Sequence, residues 1–388
     1  MKKLIIITFL LVLTLSPILG QEKVIVGAEN TDEYFSDIQG KRVAVMGNHT
    51  SLVGEEHLVD FLIRNKMNIT TIFAPEHGFR GTADAGEGVS NTTDKKTGIP
   101  IRSLYDGKGR KPSRSSMNTF DVLLIDVQDV GLRFYTYYIT MFKLMDACAE
   151  YNKKIIILDR PNPNGHYVDG PILDMKYKSA VGWLPIPVVH GMTLGELAFM
   201  INGEKWLPQK RVCDLKVAKC KNYTHRTMYE LPVAPSPNLP NMKSIYLYPS
   251  TCLFEGTVLS LGRGTSFPFQ VYGHPSLKGY TFSFTPKSVP GAKNPPLLNR
   301  KCYGVDLRNI DNEEIFSKGL DLSYIIDAYK NMPKDRKFFI PFFENLIGVS
   351  YVRTMIIQGK SADEIKKMWQ KDVENFKKQR RPYLLYAE

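Results

Sequence analysis

Cysteine is scarce in this sequence, with five residues among 388. They are scattered, and no two stand in a CxxC spacing, which argues against a dense disulfide framework and against the usual zinc-binding motifs. An odd number leaves at least one thiol unpaired within the chain. Cys213 and Cys220 are close enough in sequence to bridge a short hairpin in an oxidising compartment, and the sequence leaves that pairing open.

Several short enzyme motifs are also missing. No GxGxxG follows the first predicted strand and no GxxxxGK[ST] occurs, which argues against dinucleotide and nucleotide chemistry. The lack of GxSxG argues against an α/β-hydrolase. No HxH or HExxH spacing supports a metal site, although six residues at predicted strand ends have the right chemistry. Those six are His49, Glu76, His77, Asp126, Asp159 and His190. We expect neither a metal nor a cofactor.

Long apolar runs are confined to the first twenty residues. Lys2 and Lys3 precede an apolar stretch over residues 4–13, and small residues lead up to Gly20, as in a secretory signal. The run is short for a membrane-spanning helix, although an uncleaved anchor is the alternative. We predict a signal peptide over residues 1–20, a periplasmic or extracellular location, and no stable membrane insertion after its removal.

Acidic residues are outnumbered by basic ones. The chain has 51 Lys and Arg against 39 Asp and Glu, and without Lys2 and Lys3 the formal charge is 51 − 2 − 39 = +10. A basic secreted protein suits an acidic polymer, but net charge speaks to association and not to fold. On charge alone, nucleic acid, anionic lipid and an acidic glycan all stay open as partners, and so does the oligomeric state.

The first two hundred residues alternate short apolar runs with helical patterns, which is typical of βαβ units and a mostly parallel sheet. Strands are predicted at 42–46, 70–74, 122–127, 154–158 and 186–189. Helices are predicted at 55–64, 139–151 and 193–202, the last with a Thr-x-x-Glu capping pattern. The predicted fold is therefore α/β, with a Rossmann-like domain over residues 21–235.

A proline-rich stretch over residues 231–240 marks the predicted domain boundary, because closely spaced prolines exclude a helix. Beyond it, aromatic strands such as 280–284 and helices near 322–331 and 361–378 indicate a smaller α+β domain over residues 236–388.

Polar residues follow every predicted strand, and ligands of open α/β sheets bind beyond the carboxyl ends of the strands. In the stretch FAPEHGFRG, Glu76 lies between a strand end and a glycine-containing loop, where partial desolvation raises a carboxyl pKa towards the general-acid range. His77 and Arg80 are binding candidates beside it. The alternative is that Glu76 pairs with Arg80 and that His77 is a structural residue.

The stretch DVQDVGLRFYTY combines carboxylates, an arginine and tyrosines, which suits a sugar with an acidic substituent. Its candidates are Asp126, Gln128, Arg133, Tyr135 and Tyr137. The alternative is an Asp126–Arg133 pair that holds a loop over buried tyrosines.

Three further candidates follow later predicted strands, namely Arg160, Asn162 and His190. In the second domain, Glu255 and Arg263 share a loop rich in Gly, Ser and Thr, where glycines allow a ligand close to the backbone. A structural ion pair in a tight turn is the alternative there.

The blocks APEHGFRG, DVQDVGLRFYTY, DRPNP, HGMTLGELA and FEGTVLSLGRGT resemble the signature blocks of the exo-β-N-acetylmuramidases. The resemblance runs from about Gly40 to the C-terminus. It implies a Rossmann-like domain, a smaller C-terminal domain, and an active-site cleft between them. It also implies release of N-acetylmuramic acid from the non-reducing ends of peptidoglycan fragments such as muropeptides, with Glu76 as the catalytic glutamate. On this resemblance we expect a glycan partner and no nucleic acid.

Glycoside hydrolysis usually needs an acid and a second carboxylate. We assign Glu76 as the general acid and rank Asp126 before Glu255 for the second role, unless the substrate's own acetamido group attacks. A metal-dependent hydrolase of an ester or amide, and a non-catalytic protein that binds cell-wall glycan, are the alternative functions.

Overall fold

The computed structural model describes residues 22–75, 79, 91–104 and 111–388. The predicted signal peptide and the candidates Glu76, His77 and Arg80 lie outside the described residues. The strands are β1 Arg42–Gly47, β2 Leu52–Val53, β3 Glu56–His57, β4 Asn68–Ala74, β5 Thr92–Thr93, β6 Pro100–Ser103, β7 Val122–Asp126, β8 Lys154–Leu158, β9 Leu215–Ala218, β10 Val271–His274, β11 Phe282–Phe284 and β12 Cys302–Asp306.

The helices belong to both halves of the chain, and only α4, α5, α6, α8 and α11 are longer than seven residues. Their bounds are α1 Phe35–Ile38, α2 Leu58–Arg64, α3 Arg114–Met117, α4 Tyr137–Glu150, α5 Leu194–Gly203, α6 Met242–Thr251, α7 Asn312–Lys318, α8 Ser323–Asn331, α9 Phe342–Ile347, α10 Tyr351–Ile357 and α11 Ala362–Arg380. Within the described residues, no helix is long and apolar enough to cross a membrane.

Seven strands form the central sheet, in the order β5-β6-β4-β1-β7-β8-β9. Every neighbouring pair is parallel except β5 with β6. The strand β7 is buried at all five positions, as expected where helices cover both faces of a parallel sheet. The predicted α/β class with a mostly parallel sheet is confirmed.

The prediction of a strand at 186–189 was wrong. Prolines 185 and 187 remove two backbone donors from this stretch, and only Val189 forms isolated bridges, with Leu132 and Asp169. The apolar residues there are buried as part of a loop. The strand β9 takes the edge position beside β8. Its two first residues are half-buried, so its apolar signal is weak.

The helix predictions agree with the structure to within a few residues. Thr193 caps α5 through a capping box, in which its hydroxyl accepts from the Glu196 backbone N–H while the Glu196 side chain accepts from the Thr193 backbone N–H. The helix α2 begins at Leu58, three residues later than predicted, because β2 and β3 form a short hairpin immediately before it.

The second half contains a three-stranded antiparallel sheet, β10-β12-β11, with helices around it. One continuous hydrophobic core nevertheless spans both halves. The Phe134 ring contacts the Tyr248 ring edge-on, with centroids 5.1 Å apart. From α11, the buried Trp369 indole donates to Asp169 Oδ1 at 2.9 Å. The boundary at residue 235 stays a prediction.

A segment near the C-terminus packs back against the N-terminal half. The backbone N–H groups of Leu385 and Tyr386 donate to Glu196 Oε1 at 2.8 and 3.3 Å, and the Tyr386 hydroxyl donates to Asp159 Oδ2 at 2.8 Å. His225 also contacts Glu196, with 3.0 Å between Nε2 and Oε1. These buried carboxylates therefore receive part of their hydrogen bonds from residues far along the chain and the rest from Thr193 and Gly195 at the start of α5.

All five cysteines are buried free thiols. The bridge that the sequence allowed between Cys213 and Cys220 is absent. Cys213 instead contacts the Asn202 side chain, and Cys220 lies against the backbone oxygen of Asp159.

Candidate active site

The strand β1 lies between β4 and β7. From β1 the chain continues to β4, towards one edge of the sheet, and from β7 it continues to β8, towards the other edge. Such a switch point opens a crevice at the carboxyl ends of the two strands. Among the described residues, Asn48 and His49 follow β1, and Gln128 follows β7. The structure therefore places those strand-end candidates that it describes at the same end of the sheet, where the parallel strands have their carboxyl ends.

The proline-rich segment, residues 231–240, crosses the carboxyl ends of these strands. His49 Nε2 donates to the carbonyl of Ala234 at 2.8 Å, and the Tyr135 hydroxyl donates to the carbonyl of Pro235 at 2.7 Å. Asn48 Nδ2 donates to the Tyr137 hydroxyl at 2.8 Å. The segment is thus fastened both to the end of β1 and to the residues that lead into α4.

A cleft with a cavity volume of about 140 Å³ lies beside the proline-rich segment, with walls from both halves of the chain. Among the described residues, those that line it are Phe134, Tyr135, Thr136, Tyr137, Ala180, Val181, Ser236, Asn238, Leu239, Tyr248, Glu255, Arg263 and Phe269. Four of the predicted site residues, Tyr135, Tyr137, Glu255 and Arg263, are brought together here. The tyrosines present aromatic surface, which suits the apolar faces of a sugar ring.

Glu255 and Arg263 form an ion pair on one wall of this cleft. Arg263 Nε and Nη2 donate to the same oxygen, Glu255 Oε1, at 2.9 and 2.6 Å. The guanidinium lies over the Phe269 ring, 5.0 Å from its centroid. The side chains are 19% and 24% exposed for Arg263 and Glu255, so both reach the cleft. Burial is the largest single influence and acts to lower the pKa of Arg263, but the charge of Glu255 and its hydrogen bonds together outweigh burial, so the pKa rises.

Asp126 and Arg160 form a second ion pair, which is sealed from solvent. Arg160 Nε and Nη2 donate to Asp126 Oδ1 and Oδ2 at 2.5 and 2.9 Å, and Arg160 also donates to the carbonyl of Leu52 at 2.8 Å. Asp126 is fully buried. This arrangement favours a structural role over the catalytic and substrate-binding roles that we predicted. The alternative pair of Asp126 with Arg133 was wrong, because Arg160 donates to both oxygens of Asp126.

Arg133 lies in the interior and not in the cleft. Its Nη1 donates to the carbonyls of Pro171 and Ile186 at 2.7 and 2.8 Å, and its Nη2 donates to those of Leu346 and Ile347 at 2.9 and 2.8 Å. Burial lowers its pKa to about 10, which leaves the group charged at neutral pH. The predicted substrate contact is therefore replaced by a clamp between the two halves of the chain.

The glycine at 348 makes room for that clamp. A Cβ at Gly348 would lie 2.5 Å from Arg133 Nη2, and the backbone φ of +85° is one that residues with a side chain rarely adopt.

Three other predicted binding residues are buried and brace loops. Gln128 Nε2 donates to the carbonyls of Asp129 and Pro161 at 2.8 and 2.7 Å. Asn162 Nδ2 donates to the carbonyl of Met192 at 2.9 Å. His190 Nδ1 accepts from the backbone N–H of that methionine at 3.2 Å, and burial, with nearby arginines, lowers the pKa of His190 to about 3. These contacts favour a positioning role for all three.

Asp129 is a candidate that we left out of the sequence-based selection. It follows Asp126 by three residues and is 8% exposed. Its Oδ1 accepts from the Gly131 N–H at 2.7 Å, whereas Oδ2 is buried and has no hydrogen bond within the described part of the chain. Burial raises the pKa of Asp129 to about 7. The only sequence signal was its place in the stretch DVQD, where the sequence gives no reason to prefer Asp129 over Asp126.

Within residues 22–75, 79, 91–104 and 111–388, no three His, Cys, Asp or Glu side chains are close enough together to hold a metal ion.

Two family models match this chain. The model described as "Exo-beta-N-acetylmuramidase NamZ, N-terminal" matches residues 43–243, and the model described as "Exo-beta-N-acetylmuramidase NamZ, C-terminal" matches residues 246–386. Together they cover both walls of the cleft.

A curated relative and two solved structures agree with this match. The chain is 39% identical over 376 residues to the peptidoglycan β-N-acetylmuramidase NamZ of Bacillus subtilis (strain 168), covering 91% of this chain and 89% of that protein. A crystal structure of a DUF1343 family protein from Bacteroides fragilis NCTC 9343 is 64% identical, with a TM-score of 0.89 over 94% of this chain and 99% of that one. A second DUF1343 structure from that organism is 28% identical, with a TM-score of 0.78 and the same coverage of 94% and 99%.

Proposed function

Because the chain belongs to the exo-β-N-acetylmuramidase NamZ family, we propose that it is a glycosidase that releases N-acetylmuramic acid from the non-reducing ends of peptidoglycan fragments. The observation that carries this proposal is the match of family models to residues 43–243 and 246–386, which supply the two walls of the cleft. The aromatic lining and the single acidic and single basic side chain among its described residues are compatible with a charged sugar.

The proposed mechanism needs a proton for the leaving oxygen and a carboxylate on the other side of the bond. We assign the proton to Glu76, on the resemblance of the APEHGFRG block. For the second group we now prefer Glu255 to Asp126. Glu255 lines the cleft, and both hydrogen bonds from Arg263 go to its Oε1, whereas Arg160 holds both oxygens of the buried Asp126.

We also propose that the enzyme acts outside the cytoplasm, in the periplasm or beyond. The support is the signal-like pattern of residues 1–20, together with a substrate that forms the cell wall.

The test uses the purified chain from residue 21 onwards and two disaccharides that differ only in the order of their sugars. One carries N-acetylmuramic acid at the non-reducing end, β-1,4-linked to N-acetylglucosamine, and the other carries N-acetylglucosamine there. Each is incubated with and without EDTA and examined by mass spectrometry. We expect free N-acetylmuramic acid from the first disaccharide only, with or without EDTA.

Each other outcome points to a different function. Cleavage only without EDTA would replace the proposal with a metal-dependent hydrolase. Binding of the first disaccharide without cleavage would favour a non-catalytic glycan-binding protein. Cleavage of both disaccharides would contradict the exo-acting specificity for N-acetylmuramic acid.

A further inference from the structure

Arg263 is the one cation among the described residues that line the cleft. Among the described residues, Arg133 follows β7 and donates to buried carbonyls, and Arg160 follows β8 and donates mainly to Asp126. A negatively charged group that enters the cleft between the described walls therefore meets one guanidinium.

The geometry of the Glu255–Arg263 pair leaves part of that guanidinium unused. Both bonds from Arg263 go to a single oxygen of Glu255, through Nε and Nη2. This uses the side edge of the planar group. The end edge, formed by Nη1 and the second hydrogen of Nη2, makes no hydrogen bond to any residue that the structure describes. Two parallel N–H groups on one edge match the two oxygens of a carboxylate.

The Phe269 ring and Glu255 hold this edge in place. The guanidinium stacks on the ring at 5.0 Å and is anchored at 2.6 Å to the carboxylate, so little side-chain freedom remains to be lost on binding. A surface arginine without such supports has to be ordered by its ligand.

We propose that the end edge of Arg263 binds the carboxylate of the lactyl ether that distinguishes N-acetylmuramic acid from N-acetylglucosamine. This rests on the proposed function and assigns the recognition of the sugar to one residue. In peptidoglycan, a stem peptide converts that carboxylate to an amide, which has no charge and only one acceptor oxygen. Arg263 therefore selects for muramic acid residues whose stem peptide has been removed.

The test compares three 4-nitrophenyl β-glycosides with the same leaving group. The sugars are N-acetylmuramic acid, its lactyl N-methylamide, and N-acetylglucosamine. For the wild-type enzyme we expect kcat/KM to be roughly 10- to 100-fold higher for the acid than for the amide, as for a hydrogen bond between charged groups. In Arg263→Met this ratio falls to about one, and in Arg263→Lys, which keeps the charge without the fork, it is intermediate.

Arg308 provides a matched control. It pairs with Asp306 at 2.6 Å and lies over the Phe267 ring at 4.4 Å, but it does not line the cleft. The variant Arg308→Met removes an arginine from the same kind of setting, and the acid-to-amide ratio should keep its wild-type value.

Two results would overturn this inference while leaving the glycosidase intact. One is a wild-type ratio near one, which requires no variant and so does not depend on whether Arg263→Met folds. The other is a high ratio that persists in Arg263→Met, which would place the carboxylate elsewhere. If the wild-type enzyme hydrolyses none of the glycosides and leaves the natural disaccharide intact, the proposed function itself fails.

Discussion

Arg160 holds both carboxylate oxygens of Asp126 in the interior of the protein, at 2.5 and 2.9 Å. Neither oxygen is left for a substrate, and the pair joins the ends of two adjacent strands, β7 and β8. Removing one partner from a buried pair leaves an uncompensated charge, which is far more costly than losing an exposed pair. Asp126 is therefore a residue whose loss should be seen first in stability.

We expect Asp126→Asn to lower the free energy of unfolding by about 3 to 5 kcal/mol, because it leaves the Arg160 charge buried without its partner. Urea denaturation followed by circular dichroism measures this. Asp121→Asn is the control, since the Arg42–Asp121 pair has similar geometry but lies at the surface, and its loss should be much smaller. An Asp126→Asn protein of wild-type stability with greatly reduced kcat would restore the catalytic role.

Arg133→Met should also act on stability, because it leaves the carbonyls of Pro171, Leu346 and Ile347 without the donor that Arg133 supplies, while the carbonyl of Ile186 keeps only its bond from the Leu173 N–H. We expect a loss of roughly 3 kcal/mol or more, given the cost of each unsatisfied buried group. Arg133→Lys should recover only part of it, since one ammonium cannot reproduce the planar fork. A substrate-binding residue would behave differently, with a raised KM and an unchanged unfolding curve.

Asp129 should make stability fall as pH rises. Its pKa in the folded protein, about 7, is raised by burial above the ordinary carboxyl value. A raised pKa means that the folded protein holds the proton of Asp129 more tightly than the unfolded chain does. The contribution of this proton to the free energy of unfolding is complete at low pH and is lost as pH rises towards and through 7. Asp129→Asn removes the dependence, and its stability relative to wild type should increase by roughly 3 kcal/mol from pH 4 to pH 8.

Thermal unfolding across that pH range tests the Asp129 prediction, and Asp121 supplies a control of opposite sign. Its ion pair with Arg42 lowers the pKa of Asp121 to about 2, so that contribution is present above the ordinary carboxyl pKa and lost on acidification. The stability of Asp121→Asn relative to wild type should therefore fall as pH rises through the ordinary carboxyl pKa. Parallel curves for Asp129→Asn and wild type would contradict the assignment.

Glu76→Gln should lower kcat/KM on the natural disaccharide by roughly 10²- to 10⁴-fold, as expected for loss of a general acid, with an unchanged circular dichroism spectrum. The loss should be much smaller on the 4-nitrophenyl glycoside, because nitrophenolate leaves without a proton. Equal losses on both substrates would mean that Glu76 does something other than protonate the leaving oxygen.

The parallel sheet could be predicted because buried strands such as β7 are continuous apolar runs of the right length, and the polar residues after them mark the edge. Partners of the charged residues could not be predicted in the same way. Asp126 has Arg133 seven residues away and Arg160 thirty-four residues away, and only the fold decides between them. For Glu255 and Arg263, eight residues apart in one loop, local sequence sufficed.

Apolar composition misled us where burial does not require a strand. Residues 186–189 are apolar because they lie inside the protein, yet Pro187 and the preceding Pro185 lack the backbone N–H that a strand inside a sheet donates. Conversely, β9 lies at the edge and is only partly buried, so its pattern is too weak to select. In both cases the deciding information is the position of the segment in the sheet, which a short stretch of sequence does not contain.

The contacts of Asp159 and Glu196 with Leu385 and Tyr386 join residues that are about two hundred positions apart in the chain. During synthesis, the ribosome completes the N-terminal sheet long before it adds these partners. Until then Asp159 and Glu196 have only the hydrogen bonds that Thr193, Gly195 and His225 supply, and closing such distant contacts is slow. The nascent protein therefore passes through an extended period in which the strands of its seven-stranded sheet have been synthesised but the hydrogen bonds from Leu385 and Tyr386 have not yet formed.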